Sequence, residues 1–159
     1  MRQMNEKDTA YVGIDPGKTS GAMAVIHPGG RVELALHTGP LCYRGAIEAL
    51  AARGPLVVAV ERLFARPGKM SSAKANFELG RCCGELETML AMMGVGFQGV
   101  TPQRWQREFG VSGDKEAHVA IARQLFPGVD LRRSEKCRKD FDGFADALLI
   151  AEFARRRIT

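Results

Sequence analysis

Four carboxylates stand where they could act together. Asp15 ends the apolar run AYVGID (10–15) and Glu61 ends LVVAVE (56–61). If the two strands are neighbours, both acids converge at one edge of a sheet. Asp142 and Asp146 lie four residues apart in DGFADALLIAEFARR (142–156) and share a helical face with Leu149 and Phe153, a stripe that runs toward a core rather than into solvent. Burying like charges side by side is unfavourable unless a cation neutralises them. Hard oxygen ligands without a His/Cys cluster select Mg2+ or Mn2+ over zinc, and three or four carboxylates suit the paired ions used in phosphodiester hydrolysis. Each acid also has a plainer role: Asp15 as a turn former before Pro16-Gly17, Glu61 as a strand-end surface residue, Asp142 as a helix cap or first-turn charge. Those separate roles do not explain why three separated elements all place acids at the ends of apolar runs.

The elements that must position these side chains are legible along the chain. Residues 10–15 form a β-rich run closed by the turn PGKTSG. GAMAVIH (21–27) and RVELALH (31–37) flank Pro28-Gly29-Gly30 as a hairpin. YRGAIEALAARG (43–54) has helical composition and ends at Gly54-Pro55, and 56–61 is apolar enough for a buried central strand. A long helix is expected over about 71–93, capped by Ser71 or Ser72, then a strand over 95–100. Further helices start at Pro102, run from about Asp114 to Phe126, and cover 142–157. The pattern suits an α/β or α+β sandwich: a central mixed five-stranded sheet in the order βββαβα with further helices, flanked by helices on both faces.

With 159 residues, 45% of them hydrophobic, the chain buries one core, so residues 1–159 read as a single domain with 1–9 as a flexible N-terminus. Lys and Arg outnumber Asp and Glu by 23 to 18, a net charge of +5 that favours a polyanionic partner. Cys42, Cys82, Cys83 and Cys137 have neither C-x-x-C spacing nor the density of a secreted disulfide scaffold. The polar start MRQMNEKDT and the lack of a long apolar segment point to a cytoplasmic protein. LRRSEKCRK (131–139) gathers Arg132, Arg133, Lys136, Arg138 and Lys139 just ahead of the last helix and is read as a phosphate-contacting loop, whereas Arg155, Arg156 and Arg157 read as solvated surface.

GIDPGKTSGAMAVI (13–26), VAVERLF (58–64) and the 142–156 helix occur in the order and spacing of the RuvC-like Holliday junction resolvases, and the last string resembles their phage or prophage branch. The resemblance spans almost the whole chain. It implies a ribonuclease H-like fold and a crossover junction endodeoxyribonuclease with metal ligands at Asp15, Glu61, Asp146 and one further acid upstream, taken as Asp142. The family motif often sets its two helix acids three residues apart, but Gly143 stands there. Asp142 shares a face with Asp146, while Asp140, six residues away, has a sufficient role as a cap or as a partner of Lys139 or Arg138. The resemblance further implies that Lys115 approaches the scissile phosphate and that Phe64 stacks on an unpaired base. The loop 66–74, with Arg66, Lys69 and Lys74, would face DNA. A second basic residue of the family is matched by Gln106, leaving Arg104 or Arg107 as substitutes.

The implied chemistry is in-line hydrolysis with two ions per site, giving 5′-phosphate and 3′-hydroxyl ends. Symmetric incisions at a four-way junction call for a C2 homodimer. Ala73, Phe77, Gly80 and Gly84 form a small-residue stripe that either receives a partner helix or packs on the protein's own sheet. A ribonuclease H-like nuclease for RNA–DNA hybrid or rRNA precursor is the alternative. DPGKTSG also resembles the phosphate loop of sugar kinases and actin-like ATPases, which need two such domains and far more chain.

Overall fold

The computed structural model describes residues 8–17, 21–37, 39, 41–64 and 72–158. Strands β1 (Ala10–Asp15), β2 (Gly21–Ile26) and β3 (Val32–His37) precede helix α1 (Leu41–Ala51), strand β4 (Leu56–Glu61), helix α2 (Ala73–Met92) and strand β5 (Phe97–Val100). Helices α3 (Pro102–Glu108), α4 (Lys115–Leu125) and α5 (Asp142–Arg157) complete the chain. The sheet order is β3-β2-β1-β4-β5, antiparallel through β1–β2–β3 and parallel through β1–β4–β5, so the sheet is mixed with β1 at its centre.

Period-two alternation divides the apolar residues between two cores. Val12, Ile14, Met23, Val25, Val58 and Val60 face α1 and α2, where Tyr43, Ile47, Leu86 and Leu90 cover them. Tyr11, Ala22, Ala24, Val57 and Ala59 face α5, which α3 and α4 cover in turn. Helix α5 is consequently buried on all sides from Gly143 to Ala154. It approaches the sheet closely because β1 offers it a glycine: a Cβ on Gly13 would lie 2.1 Å from the Ala147 carbonyl oxygen and 2.3 Å from the Ala151 amide nitrogen.

Most helix starts follow the expected chemistry. The Ser72 hydroxyl accepts the Ala75 N–H at 3.1 Å, the Asp114 carboxylate accepts the Glu116 N–H at 3.0 Å, and Pro102 opens α3. Two boundaries differ from expectation. Helix α1 spans 41–51 rather than 43–54, because the Arg53 N–H turns back to the Leu50 carbonyl and ends the helix before Gly54. Strand β5 begins at Phe97 rather than 95, because Val95 belongs to the cap of α2: Gly94 takes φ +68° and the Val95 N–H reaches the Leu90 carbonyl at 3.0 Å. Thr9, placed by sequence in a flexible N-terminus, is 1% exposed. No helix among the described residues is long and apolar enough to cross a membrane.

Replacing Gly13 with alanine must push α5 away from β1, since the atoms in the way are backbone. Gly13→Ala is expected to destabilise the fold by about 3 kcal/mol, measured by urea denaturation; wild-type stability in that variant would show that α5 does not rest on Gly13.

Candidate active site

The parallel register pairs Ile14 with Val60, so the next residues, Asp15 and Glu61, stand side by side at the carboxyl ends of the two central strands. Both point to the α5 side of the sheet, the side of Tyr11 and Gly13. Protein closes round Asp15, yet part of its surface stays open to solvent. Its carboxyl is pushed well above the usual range, first by burial and then by the charges of Glu61 and Asp146, and Lys115 pulls the other way without prevailing. Glu61, 6% exposed, is raised as well, mainly by burial and by Asp146, although the Trp105 indole N–H donates to its Oε1 at 2.8 Å.

Asp146 reaches the same place from the first turns of α5. Its Oδ2 accepts from the Lys115 ammonium, and its Oδ1 lies 2.6 Å from Nδ1 of His118. Lys115 also lies 3.4 Å from Asp142 Oδ2. Burial disfavours the Lys115 charge, but the hydrogen bond and charge of Asp146, with Asp15 and Asp142, hold its ammonium above the ordinary value. Nε2 of His118 bonds the Ser112 carbonyl, so both ring nitrogens are engaged.

Asp142 is half-buried at the first position of α5, within the Lys115 group. Asp140 is held elsewhere. It bonds Arg123 of α4 at 2.7 Å rather than Lys139 or Arg138, because residue 140 pairs with Arg132 in a short antiparallel bridge that turns its side chain toward α4. The N-cap of α5 is Phe141.

The donor set fits a hard divalent cation, for its carboxyl oxygens carry the uncompensated negative charge that such an ion relieves. As placed, Lys115 bridges Asp146 and Asp142, and among the described residues no three His, Cys, Asp or Glu side chains converge as a ready-made metal cage.

The basic and aromatic candidates separate. Phe64 is 67% exposed and is no core side chain. Lys74 is exposed at the start of α2, and Arg66 and Lys69 lie outside the described residues. Arg104 stacks over Phe153 at 5.4 Å. Phe153 is seven residues beyond Asp146, about 10 Å along the helix, so Arg104 does not stand in for a second basic residue at the carboxylates. Arg107 is exposed at the end of α3. In the 131–139 loop Arg132 is engaged by Asp130 at 2.7 Å, Arg133 stacks on Phe141 at 3.9 Å, and Lys136, Arg138 and Lys139 are exposed. The terminal arginines are more than solvated surface. Arg155 and Arg156 each lie 2.7 Å from the buried Glu152, and Arg157 lies 2.9 Å from Glu108.

Sequence reasoning passed over Trp105 and His118. The available signals were slight: a lone tryptophan, and a histidine three residues after Lys115 on the same helical face.

No family model and no curated protein matches the chain. Solved structures do. T. thermophilus RuvC in complex with a Holliday junction substrate aligns at 19% identity over 92% of this chain and 95% of that one, with a TM-score of 0.62. The yeast mitochondrial Holliday junction resolvase aligns at 15% identity over 95% and 78%, with a TM-score of 0.61. The fowlpox virus resolvase, solved with Holliday junction DNA, aligns at 12% identity over 91% and 97%, with a TM-score of 0.54. The sheet order, the helices on both faces and these likenesses together give the chain a RuvC-like, ribonuclease H-like α/β fold.

Proposed function

We propose that this protein is a structure-selective DNA endonuclease that resolves four-way junctions by paired, metal-dependent hydrolysis, leaving 5′-phosphate and 3′-hydroxyl ends. The observation that carries the reading is the placing of Asp15 and Glu61 side by side at the carboxyl ends of β1 and β4, with Asp146 near enough to raise both and Lys115 bridging it to Asp142. It is supported by a fold shared with RuvC and the fowlpox virus resolvase, both solved with junction DNA. Asp15, Glu61, Asp146 and Asp142 would hold Mg2+ or Mn2+, two ions per site, which when bound supply charge neutralisation for the attacking and leaving oxygens.

The chain's own residues do the rest. Lys115 stays charged and offers a cation to the phosphate under attack. Phe64, three residues beyond Glu61, presents an open ring on which an unpaired base can stack. Arg133, Lys136, Arg138 and Lys139, just ahead of α5, supply phosphate contacts that set affinity rather than sequence choice. Cysteine spacing that lacks a disulfide framework is the ground for placing the protein's action in the cytoplasm.

Paired incision asks for two copies. Ala73, Phe77, Gly80 and Gly84 are all exposed, so the stripe does not pack on the protein's own sheet. Farther along α2, Gly84, Thr88 and Met92 line a groove with the following Met93 and with Arg44 of α1. We assign this face of α2 to a C2 homodimer. Sedimentation should find a dimer that Gly80→Leu converts to monomer without loss of fold. A monomeric wild-type protein that makes paired nicks would overturn the symmetric arrangement.

On a panel of four-way junction, fork, duplex and RNA–DNA hybrid with Mg2+ or Mn2+, the junction should be the preferred substrate. Asp15→Asn and Asp146→Asn should each lose about 100-fold or more in cleavage while junction affinity, set by basic residues, stays near wild type. Asp142→Asn should lose cleavage and Asp140→Asn should keep it. Preference for the hybrid would return the enzyme to RNA chemistry, and near wild-type cleavage by Asp15→Asn would refute the site.

The raised carboxyls make the metal-free protein sensitive to pH. Folded-state values above those of the unfolded chain mean that the folded protein binds more protons between the two. That contribution is fully present below about pH 4 and is lost as pH rises through the folded values. Without metal at pH 7, Asp15→Asn should therefore melt higher than wild type. The gap should close as pH falls toward about 4 and also when Mg2+ is added at pH 7. Equal melting temperatures at pH 7 without metal would mean that Asp15 carries no such repulsion.

A further inference from the structure

Trp105 and His118, each 1% exposed, stand directly behind two of the carboxylates and have no part in the chemistry above. The Trp105 indole N–H donates to Glu61 Oε1 at 2.8 Å, and His118 Nδ1 meets Asp146 Oδ1 at 2.6 Å. The two rings touch each other edge to face, with centroids 5.0 Å apart and planes at 68°. His118 cannot turn away from Asp146, because its other nitrogen is tied to the Ser112 carbonyl ahead of α4. A continuous path of contacts thus runs from Glu61 on β4 through α3 and α4 to Asp146 on α5. It fixes one oxygen of each carboxylate. Left alone, two such acids would turn apart, since burial and mutual repulsion act on both.

We propose that Trp105 and His118 are positioning residues that hold Glu61 and Asp146 in the orientation a divalent cation requires. The inference rests on the metal-dependent reading of this site. Donors that anchor the far side of a ligating carboxylate spare the ion the work of orienting it, and losing such a partner typically weakens metal binding about 10–100-fold. A purely architectural role, stitching α3 and α4 to α5, predicts lost stability with unchanged metal affinity.

Mn2+ binding to the metal-free, full-length protein, followed by the loss of the free-ion paramagnetic resonance signal, separates the two. Trp105→Phe keeps an aromatic ring but removes the N–H together with the five-membered half of the indole, so its melting temperature is measured beside its Mn2+ affinity to separate the cavity from the lost donor. His118→Leu removes both ring nitrogens, and His118→Asn restores a nitrogen near the place of Nδ1. Trp105→Phe and His118→Leu should bind Mn2+ about 10–100-fold more weakly and need correspondingly more Mn2+ for half-maximal junction cleavage, with the rate recovered at saturation. His118→Asn should regain most of the affinity. Should His118→Leu not fold, Trp105→Phe and His118→Asn still carry the comparison with wild type. Variants that melt lower yet bind Mn2+ as wild type does, or a His118→Asn protein no better than His118→Leu, would overturn the positioning role and leave the nuclease reading intact. If wild type binds Mn2+, the variants bind it weakly and no protein cuts junctions, the junction reading falls and the positioning role stands.

Discussion

An alanine-rich helix lying directly on a glycine of the central strand sets the geometry on which the rest depends. At Gly13 the Ala147 carbonyl and the Ala151 amide occupy the space that any larger residue's Cβ would need. Asp146 is adjacent to Ala147, and Asp15 is two residues beyond Gly13 on the same side of β1. Close approach of the two backbones therefore brings two short aspartate side chains together without either having to reach. The parallel register of β1 and β4 adds Glu61 as a direct neighbour of Asp15. No flexible loop is involved in any of these three placements.

The same placement stores electrostatic energy. Burial and mutual repulsion raise Asp15 and Glu61, and Lys115 lowers both without bringing either back. One ammonium shared with Asp146 and Asp142 is thus too little positive charge for the group. The Trp105 N–H holds Glu61 without adding charge, and His118 anchors one oxygen of Asp146. A site built in this way gains stability from added positive charge, which is the physical ground for reading it as a cation site. The opposite arrangement appears at the far end of α5. Glu152 is buried too, but Arg155 and Arg156 bond it and their pull outweighs burial, so its carboxyl lies below the ordinary range. That acid is balanced, and nothing about it invites a ligand.

Much of this was legible in the sequence, and for local reasons. Asp15 and Glu61 end continuous apolar runs, so their convergence was expected on the condition that the two strands are neighbours, and the β1–β4 pairing meets that condition. The 142–157 helix was readable from its start and its spacing, and one helical turn sufficed to favour Asp142 over Asp140. What stayed hidden depends on tertiary packing. Nothing in QRWQRE says that Trp105 turns inward to Glu61, or that Arg104 lies over Phe153 and away from the acids. The burial of His118 requires α4 to cross α5, a contact between segments distant in the chain. The stripe on α2 was ambiguous for a related reason, since small residues suit a partner helix and the protein's own sheet equally well. The outward face belongs to the stripe only because Cys82, Leu86, Met89 and Leu90 take the inward one.

Topology explains why the parts proposed to meet nucleic acid lie together although they are scattered along the chain. In parallel strands the carboxyl ends share one edge, and the segments leaving that edge are the ones free to vary. Strand β1 delivers Asp15 there, and β4 delivers Glu61 and, three residues later, the exposed Phe64. Helix α5 begins beside the same edge, since its first turns carry Asp142 and Asp146, so the basic 131–139 segment that leads into it must end there too. Lys115 opens α4 at the same point. Under the nuclease reading, a strand of nucleic acid drawn to the cationic loop would be brought over carboxylates that alone would repel its phosphates. On that reading, cations close to the acids would serve approach as well as chemistry. The first of these is Lys115, whose charge the acids themselves hold in place.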